Sequence, residues 1–297
     1  MISIIGLGFV GSAMLKSFKL KQINVKGYDK YKDSDSFEEC LNSTIMFLAL
    51  PTVYNEESSK YDLNPICETC EKLVKHNYNG FVIIKSTVEP ETTKNLLEKY
   101  DLKFIHNPEF LTARTAFEDF HNQKHIVLGK GKKELDIDDV LDFYIMCYPE
   151  AEISVCTSTE SESMKSFVNC FYATKVQFFN ELYLLCNSMD CDYDVVKDLM
   201  LKNKWINPMH TQVPGTDGKL SYGGYCFPKD TNALLQFMKL KKTNHKVLEA
   251  VINERNEMRR DNVNIIPKIN KSQRRSWTRE QLLKEMEKFK DNEKIYL

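Results

Sequence analysis

The 297-residue sequence has no excess of either charge and no long apolar run. Lysine and arginine number 41 against 42 aspartates and glutamates, so the net charge favours neither a nucleic acid nor a membrane surface as partner. No apolar run approaches the ~18 residues of a membrane-spanning helix. An apolar strand begins at residue 2, so we expect no signal peptide. These absences predict a cytoplasmic protein that binds neither nucleic acid nor membrane.

Metal-ligand motifs are also scarce. Nine cysteines suit a reducing compartment. Cys67 and Cys70 form a CxxC pair, which occurs in zinc knuckles and redox sites, but no second CxxC pair accompanies it. The surrounding stretch, Pro65–Lys75, has the apolar spacing of an amphipathic helix, so we interpret both cysteines as structural. We predict no metal site.

A glycine-rich turn follows the first apolar strand, Ile2–Ile5. Its sequence is Gly6-Leu7-Gly8-Phe9-Val10-Gly11, and the pattern of a helix, Ser12–Leu20, comes directly after it. This is GxGxxG between a strand and a helix, the context of a dinucleotide-binding turn. The first glycine permits the tight turn, the second lets a pyrophosphate approach the backbone, and the third lets helix and strand pack closely.

An acidic residue stands where such a site needs one. A second strand, Asn24–Tyr28, ends at Asp29. Its carboxylate would accept hydrogen bonds from a ribose 2′-hydroxyl and repel a 2′-phosphate, so NAD is predicted as the cofactor rather than NADP. The neighbouring cation, Lys30, weakens that preference slightly.

One cysteine has the setting of a nucleophile. It lies in Gly223-Gly224-Tyr225-Cys226-Phe227-Pro228-Lys229-Asp230, where the proline fits only the first turn of a helix. Cys226 then lies at or just before a helix N-terminus, where unpaired N–H groups and the nearby Lys229 favour a thiolate. Such a thiolate could attack a carbonyl carbon. A buried structural cysteine is the alternative interpretation of this segment taken alone.

Together, these motifs resemble the UDP-glucose/GDP-mannose 6-dehydrogenase family of nucleotide-sugar dehydrogenases. The resemblance covers roughly residues 1–260 and rests on motifs in family order: GLGFVG at 6–11, LPT at 50–52, STVEP at 86–90, NPEFL at 107–111, Lys165, Asn169, Lys175 and Asn180-Glu181 on one helix, and GGYCFPKD at 223–230. The last of these motifs is highly specific. The resemblance also implies a role in polysaccharide biosynthesis.

The resemblance assigns roles to particular residues. It implies catalytic roles for Cys226, Lys165, Asn169, Asp230, Glu109 and Thr87. It implies cofactor contacts from Gly6, Gly8, Phe9, Val10, Gly11, Asp29, Thr52, Thr87 and Lys229. It implies substrate contacts from Glu109, Phe110, Leu111, Lys165, Asn169 and Gly223. In the implied reaction NAD oxidises an alcohol to an aldehyde, Cys226 adds to that aldehyde, a second NAD oxidises the adduct to a thioester, and water releases the acid.

The pattern of the whole chain predicts an α/β fold. Helical segments alternate with short apolar strands, typical of an N-terminal Rossmann domain with a doubly wound parallel sheet. The later strands are expected at Thr44–Leu50, Gly80–Lys85, Lys103–His106, Lys124–Gly129 and Ala151–Cys156. We expect an NAD-binding domain at 1–156, an all-helical central domain with the cysteine loop at 157–262, and a linker with a short helix at 263–297.

The central domain contains two long helical patterns. One covers Ser158–Met189, and the other covers Lys229–Asp261 with an interruption near residues 241–244. Propensity alone does not hold helices of this length, so their apolar stripes predict burial against neighbours or a second copy of the chain. We therefore expect a homodimer. In the tail, Thr278 opens a capping box for a final helix.

Two departures from the family keep alternatives open. After NPEFL, Ala113 and Arg114 stand where the family has a glutamate and a small residue. The family also carries a second Rossmann-like domain that grips the substrate's nucleotide, and the residues after Asp230 are too few for one. The alternatives are a non-catalytic remnant that retains NAD binding and dimerisation, or a split enzyme completed by a separate chain. The sequence does not name the sugar, with UDP-glucose expected first.

Overall fold

The computed structural model describes residues 1–259, 261 and 265–266, with backbone alone at 113, 265 and 266. The chain forms two compact units. The first contains residues 1–52 and 62–166, and the second contains residues 53–61 and the described residues after Ser166. Within the expected linker, Ile265–Ile266 form a short strand that pairs in parallel with Tyr54–Asn55. The rest of the linker from residue 267 and the final helix from Thr278 lie outside the described residues. The functional domain boundaries expected from the sequence remain predictions.

The described part of the chain alternates strands and helices up to residue 157 and is mostly helical afterwards. The strands are β1 (Ile2–Ile5), β2 (Val25–Tyr28), β3 (Ile45–Leu48), β4 (Tyr54–Asn55), β5 (Lys60–Tyr61), β6 (Phe81–Ile84), β7 (Lys103–His106), β8 (His125–Lys130), β9 (Glu152–Thr157) and β10 (Ile265–Ile266). The α-helices are α1 (Phe9–Leu20), α2 (Phe37–Cys40), α3 (Asn64–Lys75), α4 (Thr92–Leu97), α5 (Ala116–His121), α6 (Asp138–Cys147), α7 (Ser158–Ser188), α8 (Tyr193–Leu201), α9 (Phe227–Leu240) and α10 (Lys246–Met258). A short 3₁₀ helix covers Ala113–Thr115.

The first unit is built on a seven-stranded sheet of order β2-β1-β3-β6-β7-β8-β9. β1 pairs in parallel with β2 on one side and β3 on the other, so the winding reverses at the end of β1. Ligands of open α/β sheets bind outside the carboxyl ends of the strands at such a reversal. The predicted Rossmann fold is confirmed, with one difference at the edge. β8 pairs antiparallel to β7, and β9 follows β8 in parallel, so the sheet is mixed.

Two apolar clusters cover the two faces of this sheet. Side chains alternate between faces along each strand. On β3, Phe47 packs with Phe18 of α1 and Phe143 of α6, while Met46 and Leu48 pack with the cluster that includes α3. The central strands β1, β3 and β6 are buried on both faces, so β3 and β6 are continuous apolar runs and β1 is apolar except for Ser3, which is why the sequence predicted them well.

The second unit is mostly helical. α7 is 31 residues long and continues into this unit from the first. Cys170 of α7, Leu234 and Leu235 of α9, and Leu248 and Ile252 of α10 form one apolar cluster. A hairpin of β4 and β5, which the sequence pattern did not predict, packs against α9.

The expected interruption of the last long helix is confirmed, since α9 ends at Leu240 and α10 begins at Lys246. α8 was not predicted, although Asp192 caps its N-terminus. Within the described ranges, every helix is too short or too polar to cross a bilayer.

Candidate active site

The three glycines of the first turn differ in what surrounds them. Gly6 has φ of +94°, and a Cβ there would lie 2.6 Å from the Ala49 carbonyl oxygen. A Cβ on Gly11 would overlap the Gly6 carbonyl oxygen and lie 3.0 Å from its carbonyl carbon. A Cβ on Gly8 would meet nothing within 4 Å. Packing therefore requires glycine at 6 and 11, whereas Gly8 leaves open space in front of the backbone, as close approach of a pyrophosphate needs.

Asp29 lies beside this turn, directly after β2. Its Oδ2 accepts a hydrogen bond of 2.8 Å from the Leu7 N–H, and its Oδ1 accepts one of 2.9 Å from the Tyr31 N–H. The carboxylate is thus fixed next to the glycine turn, as the sequence predicted for a ribose-binding acid. Phe9 and Val10, the other two predicted cofactor contacts of this turn, open α1.

A hydrogen bond joins the predicted cofactor residues Thr52 and Thr87. The Thr52 hydroxyl donates to the Thr87 carbonyl oxygen at 2.7 Å. The neighbouring Ser86 hydroxyl donates to the Leu50 carbonyl oxygen at 2.6 Å. Both turns follow parallel strands, so these bonds hold two strand ends together at the carboxyl edge of the sheet.

A third group of predicted residues surrounds Lys165 on α7. Its Nζ lies 3.4 Å from Glu109 Oε1 and 5.4 Å from the centre of the Phe110 ring, and the lysine is 5 % exposed. The Leu111 N–H donates to Glu109 Oε2 at 2.6 Å. NPEFL therefore supplies a carboxylate and a ring to one buried cation, and these contacts link the predicted substrate residues Glu109, Phe110, Leu111 and Lys165. The side chain of Ala113 is not among the described atoms.

Sequence reasoning missed a buried cation behind this group. Lys85, directly after β6, donates to Asn107 Oδ1 at 2.9 Å and to the Pro108 carbonyl oxygen at 3.3 Å. Burial lowers the pKa of Lys85 to about 7, with a smaller lowering from Lys165 and an opposing effect from Glu109. Through these two hydrogen bonds Lys85 holds the first two residues of the NPEFL segment in place. A lysine that ends the apolar run of β6 was the only sequence signal for it.

A buried carboxylate was also missed. Glu162 of α7 accepts hydrogen bonds from the Thr93 N–H at 2.8 Å and the Thr93 hydroxyl at 2.5 Å through Oε1. Its Oε2 has no hydrogen-bond partner among the described residues. Burial raises the pKa of Glu162 to about 7 despite these donors.

Cys226 lies in the second unit, at the N-cap of α9, and its side chain is exposed. Phe227 opens the helix and Pro228 is its second residue, where the missing proline N–H costs no intrahelical bond. Gly224 has φ of +74°, which suits glycine. The predicted helix-end position of the cysteine is confirmed. The eight other cysteines are buried or half-buried.

Asp230 lies one turn after Cys226, and its side chain is completely buried. Asn169 Nδ2 donates to Asp230 Oδ2 at 2.5 Å, and Lys229 Nζ lies 2.5 Å from Asp230 Oδ1. Tyr61 of the hairpin also donates to Oδ1, at 2.5 Å. Three of the predicted site residues are thus brought together, with Tyr61 as a partner that sequence reasoning missed.

Arginines of α10 and its end hold the cysteine loop. Arg255 Nε donates to the Tyr222 carbonyl oxygen at 3.1 Å. Arg259 is paired with Asp217 and Asp261, and its guanidinium fills the space where a Cβ on Gly223 would lie. Gly223, which the resemblance implies as a substrate contact, is therefore approached by a side chain of the protein.

Two of the three remaining family-spaced residues of α7, Asn180 and Lys175, contact the segment before the cysteine, and the third, Glu181, contacts Glu254 of α10. Asn180 Oδ1 accepts a hydrogen bond of 2.8 Å from the Ser221 N–H. Lys175 donates to the Asn207 carbonyl oxygen. Glu181 has a pKa raised to about 7, first by its hydrogen bond with Glu254 and then by burial.

The described residues contain no group of three or more side chains suited to a metal ion. His121 and His125 have an HxxxH spacing but lie on different elements, α5 and β8. They form hydrogen bonds with the Ser17 and Ser154 hydroxyls, respectively.

Comparison with known families matches two parts of the chain to one family. Residues 30–144 match the NAD binding domain of the UDP-glucose/GDP-mannose dehydrogenase family, and residues 159–257 match its central domain. Together the two matches cover most of the chain. The NAD cofactor prediction is thereby confirmed at the level of the family.

Curated relatives agree with this assignment. The chain is 32% identical over 229 residues to a UDP-glucose 6-dehydrogenase of Rickettsia bellii. This alignment covers 74% of this chain and 51% of the relative. It is 27% identical over 230 residues to the UDP-glucose 6-dehydrogenase of Campylobacter jejuni, with 74% of this chain and 56% of that protein covered. The chain thus spans about half the length of the curated relatives it matches.

Solved structures have the same fold. A UDP-glucose dehydrogenase from Pyrobaculum islandicum superposes with a TM-score of 0.73 at 25% identity, covering 85% of this chain and 67% of that one. GDP-mannose dehydrogenase from Pseudomonas aeruginosa superposes with a TM-score of 0.62 at 22% identity, covering 86% and 68%. The motifs, the fold and both domain matches agree, and the chain belongs to the UDP-glucose/GDP-mannose dehydrogenase family.

Proposed function

We propose that the protein is an NAD-dependent dehydrogenase that oxidises the C6 hydroxymethyl group of a nucleotide sugar to a carboxylate. UDP-glucose is the substrate we expect first, with GDP-mannose or a UDP-N-acetylhexosamine next. The observation that carries the proposal is the exposed Cys226 at the N-cap of α9. It lies one turn from the buried Asp230, whose carboxylate accepts three hydrogen bonds. A one-step hydroxyacid dehydrogenase would not need that cysteine.

The first unit has the residues to hold NAD. Gly6, Gly8 and Gly11 would bind the pyrophosphate at the start of α1, where the open space in front of Gly8 admits it. Asp29 would accept the hydroxyls of the adenosine ribose. When bound, NAD accepts the hydride in each of the two oxidations. We further assign Phe9, Val10, Thr52 and Thr87 of this unit, and Lys229 of the second unit, to cofactor contacts.

Cys226 is the proposed nucleophile. The positive end of the α9 helix dipole favours the thiolate form. The thiolate adds to the carbonyl carbon of the aldehyde formed in the first oxidation, which retains that reactive product on the protein. The second oxidation converts the resulting thiohemiacetal to a thioester, and hydrolysis of its C–S bond returns the thiol and releases the acid.

The polar groups around the reaction have separate proposed roles. Lys165 and Asn169 lie one turn apart on α7 and would stabilise negative charge on the C6 oxygen by hydrogen bonds. Asp230 would orient or relay a proton, and Glu109 and Thr87 would position water. Glu109, Phe110, Leu111, Lys165, Asn169 and Gly223 are the proposed substrate contacts.

We also propose a homodimer. Phe167, Phe171, Phe178 and Leu185 of α7 recur at spacings of four and seven residues and are more than half exposed. A contiguous apolar face of this kind on a long helix most simply packs against a second copy of the chain. Sedimentation should give a dimer at micromolar concentration, whereas a monomer would refute this part of the proposal.

NADH formation with a panel of nucleotide sugars tests the function. The absorbance of NADH should rise with one or more nucleotide sugars in the wild type and should not change in Cys226→Ser. Cys67→Ser is the matched control, because that cysteine lies on α3, and it should keep wild-type turnover. Cys226 should also be alkylated fastest, because it is the exposed cysteine. NAD binding without NADH from any sugar would support the non-catalytic or split-enzyme alternative instead.

A further inference from the structure

The β4–β5 hairpin brings a buried hydroxyl to the proposed catalytic carboxylate. The hairpin interrupts the chain between β3 and β6, yet it belongs to the second unit and packs against α9. Tyr61, its last residue, is 5 % exposed. No motif of the sequence pointed to this tyrosine, and it lies 169 residues from the aspartate it contacts.

The hydrogen bonds of Asp230 fix both carboxylate oxygens. Tyr61 Oη donates to Oδ1 at 2.5 Å, Lys229 Nζ also donates to Oδ1 at 2.5 Å, and Asn169 Nδ2 donates to Oδ2 at 2.5 Å. A carboxylate can only accept, so the tyrosine must be the donor in its pair. The three donors come from the hairpin, α9 and α7, so the carboxylate is held from three separate elements.

The ring of Tyr61 has a second role. Lys229 Nζ lies 4.6 Å from its centre, within the range of a cation–π interaction. Tyr61 therefore contacts the aspartate with its hydroxyl and the lysine with its ring. Replacing the tyrosine by phenylalanine would keep the ring and remove only the hydrogen bond.

We propose that Tyr61 is a positioning residue that fixes the orientation of Asp230 and screens its carboxylate, and through it affects the chemistry at Cys226; this rests on the proposed function. Asp230 lies four residues after Cys226, and its N–H donates to the Cys226 carbonyl oxygen at 3.0 Å in the first turn of α9. A carboxylate one turn from a thiolate disfavours it by repulsion. The hydrogen bond from the Tyr61 hydroxyl to Oδ1 screens part of the negative charge of Asp230. It also fixes the carboxylate so that Oδ2 stays aligned with the Asn169 amide.

Tyr61→Phe tests the proposal, with Tyr193→Phe as the matched control. Tyr193 is also buried in the second unit, and its hydroxyl donates to the Thr211 carbonyl oxygen at 2.6 Å, remote in sequence from the proposed site. Tyr61→Phe should lower kcat by about tenfold to a hundredfold, the usual effect of losing one charge-assisted bond at a reacting site, with NAD affinity unchanged within about twofold. Tyr193→Phe should leave kcat within about twofold of the wild type.

A double-mutant cycle shows whether the effect acts through the carboxylate. In an Asp230→Asn background, Tyr61→Phe should cause no further loss, because no charged oxygen remains to be held. Equal kcat in Tyr61→Phe and Tyr193→Phe, or effects of Tyr61→Phe and Asp230→Asn that multiply, would overturn the proposal. Comparable melting temperatures of the two phenylalanine variants confirm that folding does not explain a difference.

Alkylation of Cys226 by iodoacetamide separates this proposal from the proposed function. It requires neither NAD nor sugar, so it decides the role of Tyr61 even if no nucleotide sugar gives NADH. Tyr61→Phe should slow the reaction by about threefold or more, through a less screened carboxylate beside the thiolate, and should have no effect in Asp230→Asn. An unchanged rate in Tyr61→Phe would refute the positioning role, whereas absent turnover in the wild type would refute only the dehydrogenase activity.

Discussion

Two alanine substitutions in the first glycine turn should separate packing from cofactor binding. Gly11→Ala introduces a methyl group that overlaps the Gly6 carbonyl oxygen and lies 3.3 Å from Ile4 Cγ2. Gly8→Ala introduces the same group at a position where nothing lies within 4 Å and where φ is −71°. The two variants thus share their chemistry and differ only in surroundings.

The expected magnitudes follow from these contacts. At Gly11 the obstacle is backbone, so α1 must move away from β1, and overpacking of this kind costs about 1–3 kcal/mol or more. For a unit of this size, each kcal/mol lowers the melting temperature by about 2–4 °C. At Gly8 we expect a stability loss of about 0.5 kcal/mol, because glycine is a better N-cap than alanine. The Gly8 methyl group would instead obstruct the pyrophosphate and weaken NAD binding by about tenfold or more.

Thermal unfolding followed by NAD titration measures both effects. Gly11→Ala should melt several degrees lower than the wild type, and Gly8→Ala should melt close to it while binding NAD poorly. Wild-type NAD affinity in Gly8→Ala would show that the pyrophosphate does not approach this turn. A wild-type melting temperature in Gly11→Ala would contradict the packing argument.

Three further predictions concern the cofactor, a buried acid and the cysteine loop. Asp29→Ala should narrow the preference for NAD over NADP in binding titrations, because it removes the ribose acceptor and its repulsion of a 2′-phosphate; tighter NADP binding by the unmodified protein would contradict this. Burial raises the pKa of Glu162 to about 7 from an ordinary 4.5. Between these two pH values the folded state retains a proton that the unfolded chain has lost, so the free energy of unfolding falls as the pH rises. From pH 5 to pH 8, the free energy of unfolding of Glu162→Gln should therefore rise by about 2–3 kcal/mol relative to that of the wild type, as measured by denaturant unfolding. If the unfolding free energies of the two proteins change with pH in parallel, the raised pKa is wrong. Gly223→Ala should displace the Arg259 guanidinium and lower the unfolding free energy by about 1–3 kcal/mol, while an unchanged melting temperature would show that the arginine moves aside freely.

The sequence predicted the parts of the site that depend on local chemistry. GxGxxG after an apolar strand defines a turn because glycine conformation and helix entry are local properties, and Asp29 follows the next strand for the same reason. The position of Cys226 was likewise predicted, because a proline two residues later restricts where the helix can begin.

The sequence could not decide pairings between distant segments. The direction of β8 depends on how the connection after β7 packs, and nothing in an apolar run encodes whether its strand pairs parallel or antiparallel. Lys85 follows a strand and Glu162 lies in a helix, where the sequence shows two ordinary charged residues; only burial by other elements shifts their pKa values.

Tyr61 shows this division most clearly. The sequence alone predicted roles for Cys226 and Asp230, because both lie within one eight-residue motif at the start of a helix. The hydroxyl that holds the aspartate comes from a two-residue strand far earlier in the chain. Local propensity cannot specify such a contact, since it exists only when the hairpin packs against α9; the tertiary structure decided it.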